Sequence, residues 1–291
     1  MLIIKIIKYF FQALFVYLFF IIIKIIGLTL SRKLFSFLFN EIGPLIKSKN
    51  IIDDNLEKFL GSYNHDIKKK IKLDMWTNYG KNFVEYLYLK QFKNMNFHIE
   101  IKGEEILNKI KKNNKPVIFV SGHFANFELM SMELTKRNIN LATIYRPLNN
   151  FFLNPFMEFL RKKYICQNQI KKGLAGVKES IKYIKNNYSI ALMIDQRVSE
   201  GKRLPFFEHA ALTTTMPAQM ALKFNLDIIP IYIVRKNNDD FEMEICEPLN
   251  IVKKDDVETN KLNLSIKLNK ILETMIAKNP GQWIWTHNRW K

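Results

Sequence analysis

Hydrophobic positions are densest at the start of the chain. The longest run extends from Tyr9 to Ile23 and is interrupted only by Gln12. A membrane-crossing helix needs about 20 apolar residues. This run is long enough if it continues past Lys24, whose flexible stem would carry the charge to the membrane–water interface. A cleaved signal peptide or a buried core helix would be the alternatives, but no small-residue cleavage site follows the run. Because lysines stand on both sides of it, the pattern predicts no orientation and fits a spanning helix or an interfacial helix equally.

Residues 1–40 are therefore predicted to form a membrane anchor, in which Ser31–Phe39 is a second amphipathic element on the same surface. Gly43-Pro44 predicts a break after the anchor. Apolar residues at helical spacing follow over 51–93, with a break at Gly61-Ser62, and predict a helical lead-in to the rest of the chain.

Beyond residue 97 the pattern changes to short apolar strands that alternate with amphipathic helices. This alternation predicts a single α/β domain over 41–291, whose core at 97–291 is a largely parallel mixed sheet flanked by helices. Pro230 predicts an edge position or a bulge for its strand. The predicted strands are Phe97–Ile101, Pro116–Val120, Leu141–Tyr145, Ile190–Ile194, Ile228–Val234 and Phe241–Cys246.

Composition and charge narrow the class of protein. The 291 residues are 48% hydrophobic, which excludes a disordered chain, and two cysteines exclude a disulfide framework. Lys and Arg number 45 against 27 Asp and Glu, a net charge of +18 that suits a nucleic acid or an anionic membrane. No nucleic-acid-binding motif is visible, so we expect a membrane partner and no nucleic acid. A non-catalytic basic binding protein stays open as another class.

Candidate chemistry lies directly after the strand at 116–120, where the sequence reads Ser-Gly-His-Phe-Ala-Asn-Phe-Glu over 121–128. Gly122 provides the freedom for a tight turn. His123 would stand at the carboxyl end of a strand, where open α/β sheets bind ligands. Glu128, in the first helical turn, could hydrogen-bond one imidazole nitrogen, so that the other acts as a general base on a hydroxyl. A purely structural histidine is the alternative. No metal-ligand spacing is visible.

The same segment resembles the His-x4-acid signature of the lysophospholipid acyltransferase superfamily, and its Glu variant resembles the lipid A biosynthesis branch. Further blocks are similar along nearly the whole chain, whereas the Phe-Pro-Glu-Gly-Thr block of the glycerolipid branch is missing, which argues against a glycerol-phosphate acceptor. The similar blocks are Tyr145-Arg146-Pro147, Asp195-Gln196, Pro205-Phe206-Phe207 with Thr213-Thr214, Ile229-Pro230 with Arg235, and the ending at 282–291.

The resemblance implies transfer of a fatty acyl chain from acyl carrier protein to a hydroxyl of a lipid A precursor, a late secondary acylation, without a cofactor. His123 would deprotonate the hydroxyl, Glu128 would hold the imidazole, and backbone N–H groups around Gly122 would meet the oxyanion. A related acyltransferase that uses acyl-CoA or another lipid acceptor is the alternative. The implied location is the bacterial inner membrane, with the catalytic domain on its cytoplasmic face.

Four more residues are implied as substrate-binding. Arg146 would hold a phosphate or another anionic group. Asp195 and Gln196 would bind sugar hydroxyls or orient Arg146, with a strand-end cap as the alternative. Arg235 would bind substrate, with a surface ion pair to Asp239 or Asp240 as the alternative. Arg161-Lys162-Lys163 is interpreted as a solvated charged face, with contact to anionic headgroups as the alternative. His287 is interpreted as tail packing, with a role in the chemistry as the alternative.

Overall fold

The structure is a computed structural model that describes residues 2–46, 49–61, 65–251 and 256–291. Ser62, part of the predicted Gly61-Ser62 break, lies outside these ranges. The helices are α1 Leu2–Ile26, α2 Leu28–Ile46, α3 Lys49–Leu60, α4 His65–Glu85, α5 Leu89–Asn94, α6 Glu104–Asn113, α7 Glu128–Lys136, α8 Asn154–Leu160, α9 Leu174–Lys185, α10 Met216–Phe224 and α11 Val257–Lys278. The strands are β1 Ile99–Lys102, β2 Ile118–Ser121, β3 Leu141–Tyr145, β4 Asn168–Lys171, β5 Ser189–Met193, β6 Lys202–Phe206, β7 His209–Thr213, β8 Ile228–Arg235 and β9 Phe241–Ile245. Short turns of other helix types stand at Tyr86–Tyr88, Arg161–Ile165 and Pro280–Gln282.

Within the described residues, seven strands form one sheet in the order β1-β9-β8-β2-β5-β3-β4. All neighbours are parallel except the β8–β9 pair. The remaining strands, β6 and β7, make a separate antiparallel hairpin. The predicted α/β class and the largely parallel sheet are therefore confirmed.

Both faces of the sheet are covered, which explains why the central strands are continuous apolar runs. In β2, Ile118 and Val120 point into one core, while Phe119 belongs to the core on the other face. The strand is buried along its whole length, between β5 and β8. Its carboxyl end is thus a fixed point from which the following turn leaves.

The N-terminal helices pack together on the α/β domain. Gly27, at a φ of +80°, lets the chain turn from α1 into α2. Helix α2 packs closely on α4, because Gly80 has no side chain where the backbone of Phe35 approaches it. Phe83 of α4 stacks on the Phe35 ring at 5.4 Å. The first two helices are therefore one structural unit with the domain.

Several details differ from the sequence-based predictions. Strand β4 and the β6–β7 hairpin were not predicted, because their patterns are polar or interrupted by Pro205. The break at Gly43-Pro44 is wrong, since α2 continues to Ile46. Pro230 lies in a central strand and not at an edge. It stands where β8 ends its pairing with β2 and begins its pairing with β9, a position where its missing N–H is tolerated.

Candidate active site

A sharply bent turn joins β2 to α7. A Cβ atom on Gly122 would lie 2.8 Å from the buried ring of Phe124, so a larger residue would force that ring to shift. Ala125 has a φ of +43°, an unusual backbone conformation for a residue with a side chain. Asn82 of α4 donates a hydrogen bond to the Ala125 carbonyl, and the Ala125 N–H donates to Gln282 O at 3.0 Å. Contacts from both ends of the chain therefore hold this turn in place.

The imidazole of His123 is paired with Asp195. Ser121 of β2 is in register with Met193 of β5, so the residues two places beyond each strand become neighbours. Asp195 Oδ1 accepts a hydrogen bond from His123 Nδ1 at 2.8 Å, and its Oδ2 accepts from the His123 backbone N–H at 2.9 Å. Trp283 Nε1 donates to the same Oδ2 at 2.8 Å. This pairing fixes the ring, and Nε2 has no hydrogen-bond partner among the residues that the structure describes.

Asp195 is fully buried, and burial alone would raise the pKa of its carboxyl group. The charge of His123, its two hydrogen bonds and that of Trp283 outweigh burial and lower the pKa of Asp195 to about 2. The carboxylate is thus ionised at neutral pH beside the imidazole. This is the arrangement that holds a histidine in the tautomer of a general base.

Glu128 has different partners from those predicted. Its Oε1 accepts hydrogen bonds from Tyr86 Oη at 2.6 Å and from Arg161 Nε at 2.8 Å. The predicted His123–Glu128 hydrogen bond is therefore wrong in this structure: Nδ1 is taken by Asp195, and the nearly buried Glu128 carboxylate is neutralised by the Arg161 cation. That His123 and Glu128 take part in catalysis stays a prediction.

Arg161 is a candidate functional residue that the sequence interpretation missed. It was assigned to a solvated face, but its side chain is only 11% exposed, and its Nη1 has no partner within the residues that the structure describes. Burial would lower the pKa of Arg161, but the charge of Glu128 raises it above the usual value. The spacing could have shown this, because Arg161 lies four residues after Met157, which is buried.

A polar cleft of about 530 Å³ opens in front of His123. It is basic, because Arg161, Arg146 and Lys172 line it. Burial, together with the positive charge of Arg146, lowers the pKa of Lys172. Gln196 lines the cleft as well, whereas Asp195 stands behind His123 and binds it instead of facing substrate.

His287 also lines this cleft, so its interpretation as tail packing alone is incomplete. Its Nε2 accepts a hydrogen bond from the backbone N–H of Arg197 at 2.8 Å. Burial lowers the pKa of His287 to about 4, so its ring is neutral at neutral pH.

A second cavity, of about 360 Å³, is also lined by His123. Apart from a few polar groups its walls are aliphatic and aromatic. His123, Phe127 and Leu148 line both this cavity and the polar cleft. The imidazole therefore lies where a polar cleft meets an apolar cavity. The other lining residues of the cavity are Val16, Phe20, Phe39, Asn78, Tyr79, Asn82, Phe83, Tyr86, Leu153, Met157 and Ile284.

Arg235 lies behind the turn and does not line the cleft. Its side chain is 5% exposed, and it is paired with Glu85, which also accepts a hydrogen bond from Arg32 Nε at 2.8 Å. Arg235 Nη2 donates to Asn82 Oδ1 at 2.7 Å. The guanidinium holds α2, α4 and β8 together, so it is not placed at the His123 cleft. That Arg235 binds substrate stays a prediction. The alternative surface pair is wrong, since Asp239 binds Lys81.

The predicted oxyanion site around Gly122 is not formed by three of the nearby N–H groups. The N–H of His123 donates to Asp195, that of Phe124 to Gly122 O, and that of Ala125 to Gln282 O. The positive charge of the cleft comes instead from side chains, including Arg161, whose Nη1 is unpartnered within the described part of the chain.

A carboxylate-bound histidine between a basic cleft and an apolar cavity suits an enzyme that moves an acyl group onto a hydroxyl, and comparison with known proteins gives the same class. Residues 4–291 match the family model described as bacterial lipid A biosynthesis acyltransferase. The chain belongs to this family, and the protein is an acyltransferase. Because the chain belongs to a family of acyltransferases, the alternative of a non-catalytic binding protein is rejected.

The similar curated proteins are distant relatives. The lipid A biosynthesis acyltransferase 2 of Shigella flexneri is 24% identical over 189 residues, which cover 63% of this chain and 58% of that protein. The lipid A biosynthesis palmitoleoyltransferase of Escherichia coli K12 is 22% identical over 256 residues, 85% of this chain and 80% of that protein. A lipid A biosynthesis acyltransferase of Shigella flexneri matches to the same extent as the palmitoleoyltransferase.

Proposed function

We propose that the protein transfers a fatty acyl chain from the thioester of acyl carrier protein to a hydroxyl of a lipid A precursor. The observation that carries this proposal is the position of His123, whose Nδ1 is bound by Asp195 and whose ring lies where the basic cleft meets the apolar cavity. The names of the similar proteins support lipid A biosynthesis as the process.

The reaction follows from this geometry. His123 Nε2 takes the proton of the acceptor hydroxyl as its oxygen attacks the thioester carbonyl. The new C–O bond forms, the C–S bond breaks, and the imidazolium returns the proton to the departing thiolate. Asp195 holds the tautomer and balances the imidazolium charge. No acyl-enzyme is required, because the hydroxyl attacks directly.

The two cavities suit the two ends of such substrates. Phosphate groups of a lipid A precursor would bind in the polar cleft, where Arg146 and Lys172 supply positive charge and Gln196 supplies a hydrogen-bonding amide. The acyl chain would lie in the apolar cavity, where its burial is favourable. Glu128 would act through Arg161 by fixing the guanidinium at the border of the cleft.

We infer the donor from the charge of the chain, and the cytoplasmic location of the catalytic domain from the cytoplasm as the place where acyl thioesters are made. A chain of net charge +18 suits an acidic carrier protein and an anionic membrane. We place the protein at the bacterial inner membrane, with the catalytic domain on the cytoplasmic face. A donor of the acyl-CoA type is the second candidate, and it would use the same histidine.

The test is His123→Ala, with His209→Ala as the matched control. His209 begins β7 in the separate hairpin and does not line the cleft. We expect His123→Ala to lose acyl transfer by about 10²–10⁴-fold, while the control keeps wild-type rates and both variants keep the wild-type circular dichroism spectrum. Acyl transfer at the wild-type rate by a folded His123→Ala variant would refute the mechanism.

Acyl carrier protein and coenzyme A thioesters should be compared in the same assay, with the acylated precursor detected by mass spectrometry. We expect a higher kcat/KM with the carrier protein. In cells that lack the gene, we expect lipid A without one secondary acyl chain, and unchanged lipid A would point to another acceptor.

A further inference from the structure

Helix α1 is packed against the domain along most of its length. Asn150 Nδ2 donates to Tyr9 O at 2.8 Å, Tyr17 Oη donates to Phe152 O at 3.0 Å, and Lys24 Nζ donates to Leu87 O at 2.6 Å. At 1.5 Å per residue, the distance from the first of these contacts to the last is about 22 Å. The helix is long and apolar enough to cross a membrane by length and composition, but it does not stand apart from the domain.

The opposite side of α1 is exposed and apolar. Ile7, Leu14 and Ile21 follow one another at seven-residue intervals, so they share a face, and they are 51%, 44% and 58% exposed. Exposed apolar residues continue on α2, for example Phe37, and on the segment 148–159, for example Phe151. We call this surface, formed by α1, α2 and 148–159, the apolar face.

A spanning arrangement conflicts with the segment beside α1. Residues 146–149 are irregular backbone, and the short turn at 150–153 packs along α1 between Tyr9 and Tyr17. Irregular backbone exposed to lipid does not occur within the hydrocarbon region, because its polar groups would stay unsatisfied. Only Leu2–Lys8, about 10 Å of helix, extends past the packed part, against a hydrocarbon thickness of about 30 Å.

Positive charges stand at the border of the apolar face. Lys5 Nζ lies 5.5 Å from the centre of the Tyr9 ring, and Lys163 Nζ lies 5.0 Å from that of Phe159, which is 52% exposed. Lysine stems that run along apolar surface with their charge at its edge are suited to the headgroup layer of an anionic membrane.

We propose that the apolar face lies in a single leaflet, with α1 parallel to the membrane plane, and that the helix does not cross the bilayer. The occupant of this face is that leaflet: the exposed apolar side chains insert into its hydrocarbon, while the irregular backbone at 146–149 stays at the level of the headgroups, where its polar groups are satisfied. Because Val16 and Phe20 of α1 also line the apolar cavity at His123, the cavity opens at the level of the acyl chains. This last consequence rests on the proposed function, whereas the membrane placement does not.

The first test labels cysteines with a membrane-impermeant maleimide in right-side-out and inside-out vesicles. Lys5→Cys reports the N-terminal part of α1, and Lys112→Cys, at an exposed position near the end of α6, reports the side of the domain. Both are made in a Cys246→Ser background, since Cys166 is buried. We expect both cysteines to react from the same side. Reaction from opposite sides, or reaction of Lys5→Cys only after detergent is added, would overturn the proposal.

The second test measures depth. Ile7→Cys, Leu14→Cys and Ile21→Cys each carry an environment-sensitive fluorophore, and quenchers at known depths in anionic phospholipid vesicles locate it. A helix in the membrane plane places the three at one depth. A crossing helix would separate the first from the last by about 20 Å, which would contradict the proposal. Neither test requires acyl transfer, so failure of the proposed function and failure of the membrane placement are distinguishable.

Discussion

Asp195→Asn tests the pairing on which the proposed chemistry depends. Three N–H donors point at this carboxylate, one at Oδ1 and two at Oδ2. An asparagine of the same shape has a single acceptor oxygen. An NH₂ group in the place of Oδ2 would face two N–H donors, those of the His123 backbone and of Trp283. An NH₂ group in the place of Oδ1 would face only His123 Nδ1, and the imidazole can change its tautomer so that Nδ1 accepts a hydrogen bond.

Each buried donor left without an acceptor costs about 1–3 kcal/mol. The second orientation is therefore favoured by about that amount or more. It moves the imidazole proton to Nε2, the nitrogen that must accept the substrate proton. Because about 1.4 kcal/mol changes the ratio of the two tautomers tenfold, the active tautomer becomes a minor species. The imidazolium also loses the carboxylate that balances its charge. We expect kcat to fall by about 10²–10⁴-fold with little change in KM.

The assay follows acylated precursor by mass spectrometry with acyl carrier protein as donor carrier, and circular dichroism verifies folding. Glu128→Gln is the matched comparison, because it removes the other carboxylate near the turn without touching His123 Nδ1. We expect a smaller loss of kcat for Glu128→Gln. Near-wild-type kcat in Asp195→Asn, together with a complete loss in Glu128→Gln, would refute the pairing seen here and restore Glu128 as the partner of the base.

Three further variants test the surroundings of the site. Arg161→Gln leaves the Glu128 carboxylate, 10% exposed, without its cation and should lower the free energy of unfolding by about 3–5 kcal/mol. In urea unfolding, the double variant Arg161→Gln with Glu128→Gln should recover part of this loss of stability, and the absence of any recovery would contradict the ion pair. Gly122→Ala places a Cβ against the buried Phe124 ring, which should cost about 1–3 kcal/mol and about 2–4 °C in Tm per kcal/mol, and an unchanged Tm would show that the turn can adapt. His287 has a pKa lowered to about 4 by burial, so the unfolded chain binds its proton first, and its contribution to stability is present above about pH 6.5 and lost as the pH falls towards 4. His287→Asn should flatten the loss of stability over that range, and an unchanged pH dependence would argue against a buried neutral ring.

The local pattern of apolar, polar and turn-forming residues predicted much of the fold. Alternating helices and apolar strands predicted the α/β class, and the continuous apolar run before Gly122 predicted a fully buried β2. The sequence also predicted that His123 stands at a strand end, because a turn follows the strand directly. These features depend on residues that are near one another in the chain.

The partners of the candidate residues depend on tertiary structure. Which strands become neighbours cannot be derived from their patterns, and only the β2–β5 pairing brings Asp195 beside His123. Trp283 reaches the same carboxylate from 88 residues away. Arg235 stands at a strand end, as predicted, but α4 covers it with Glu85 and makes it part of the structure behind the turn.

The sequence by itself determined most of the elements, the strand-end histidine and an apolar N-terminal helix, since each depends on the local order of apolar, polar and turn-forming residues. Tertiary structure decided which carboxylate holds the histidine and that α1 is packed side-on against the domain. The physical reason is that a buried charge is stable only beside a partner, and which partner is within reach is determined by packing between segments that are distant in the chain.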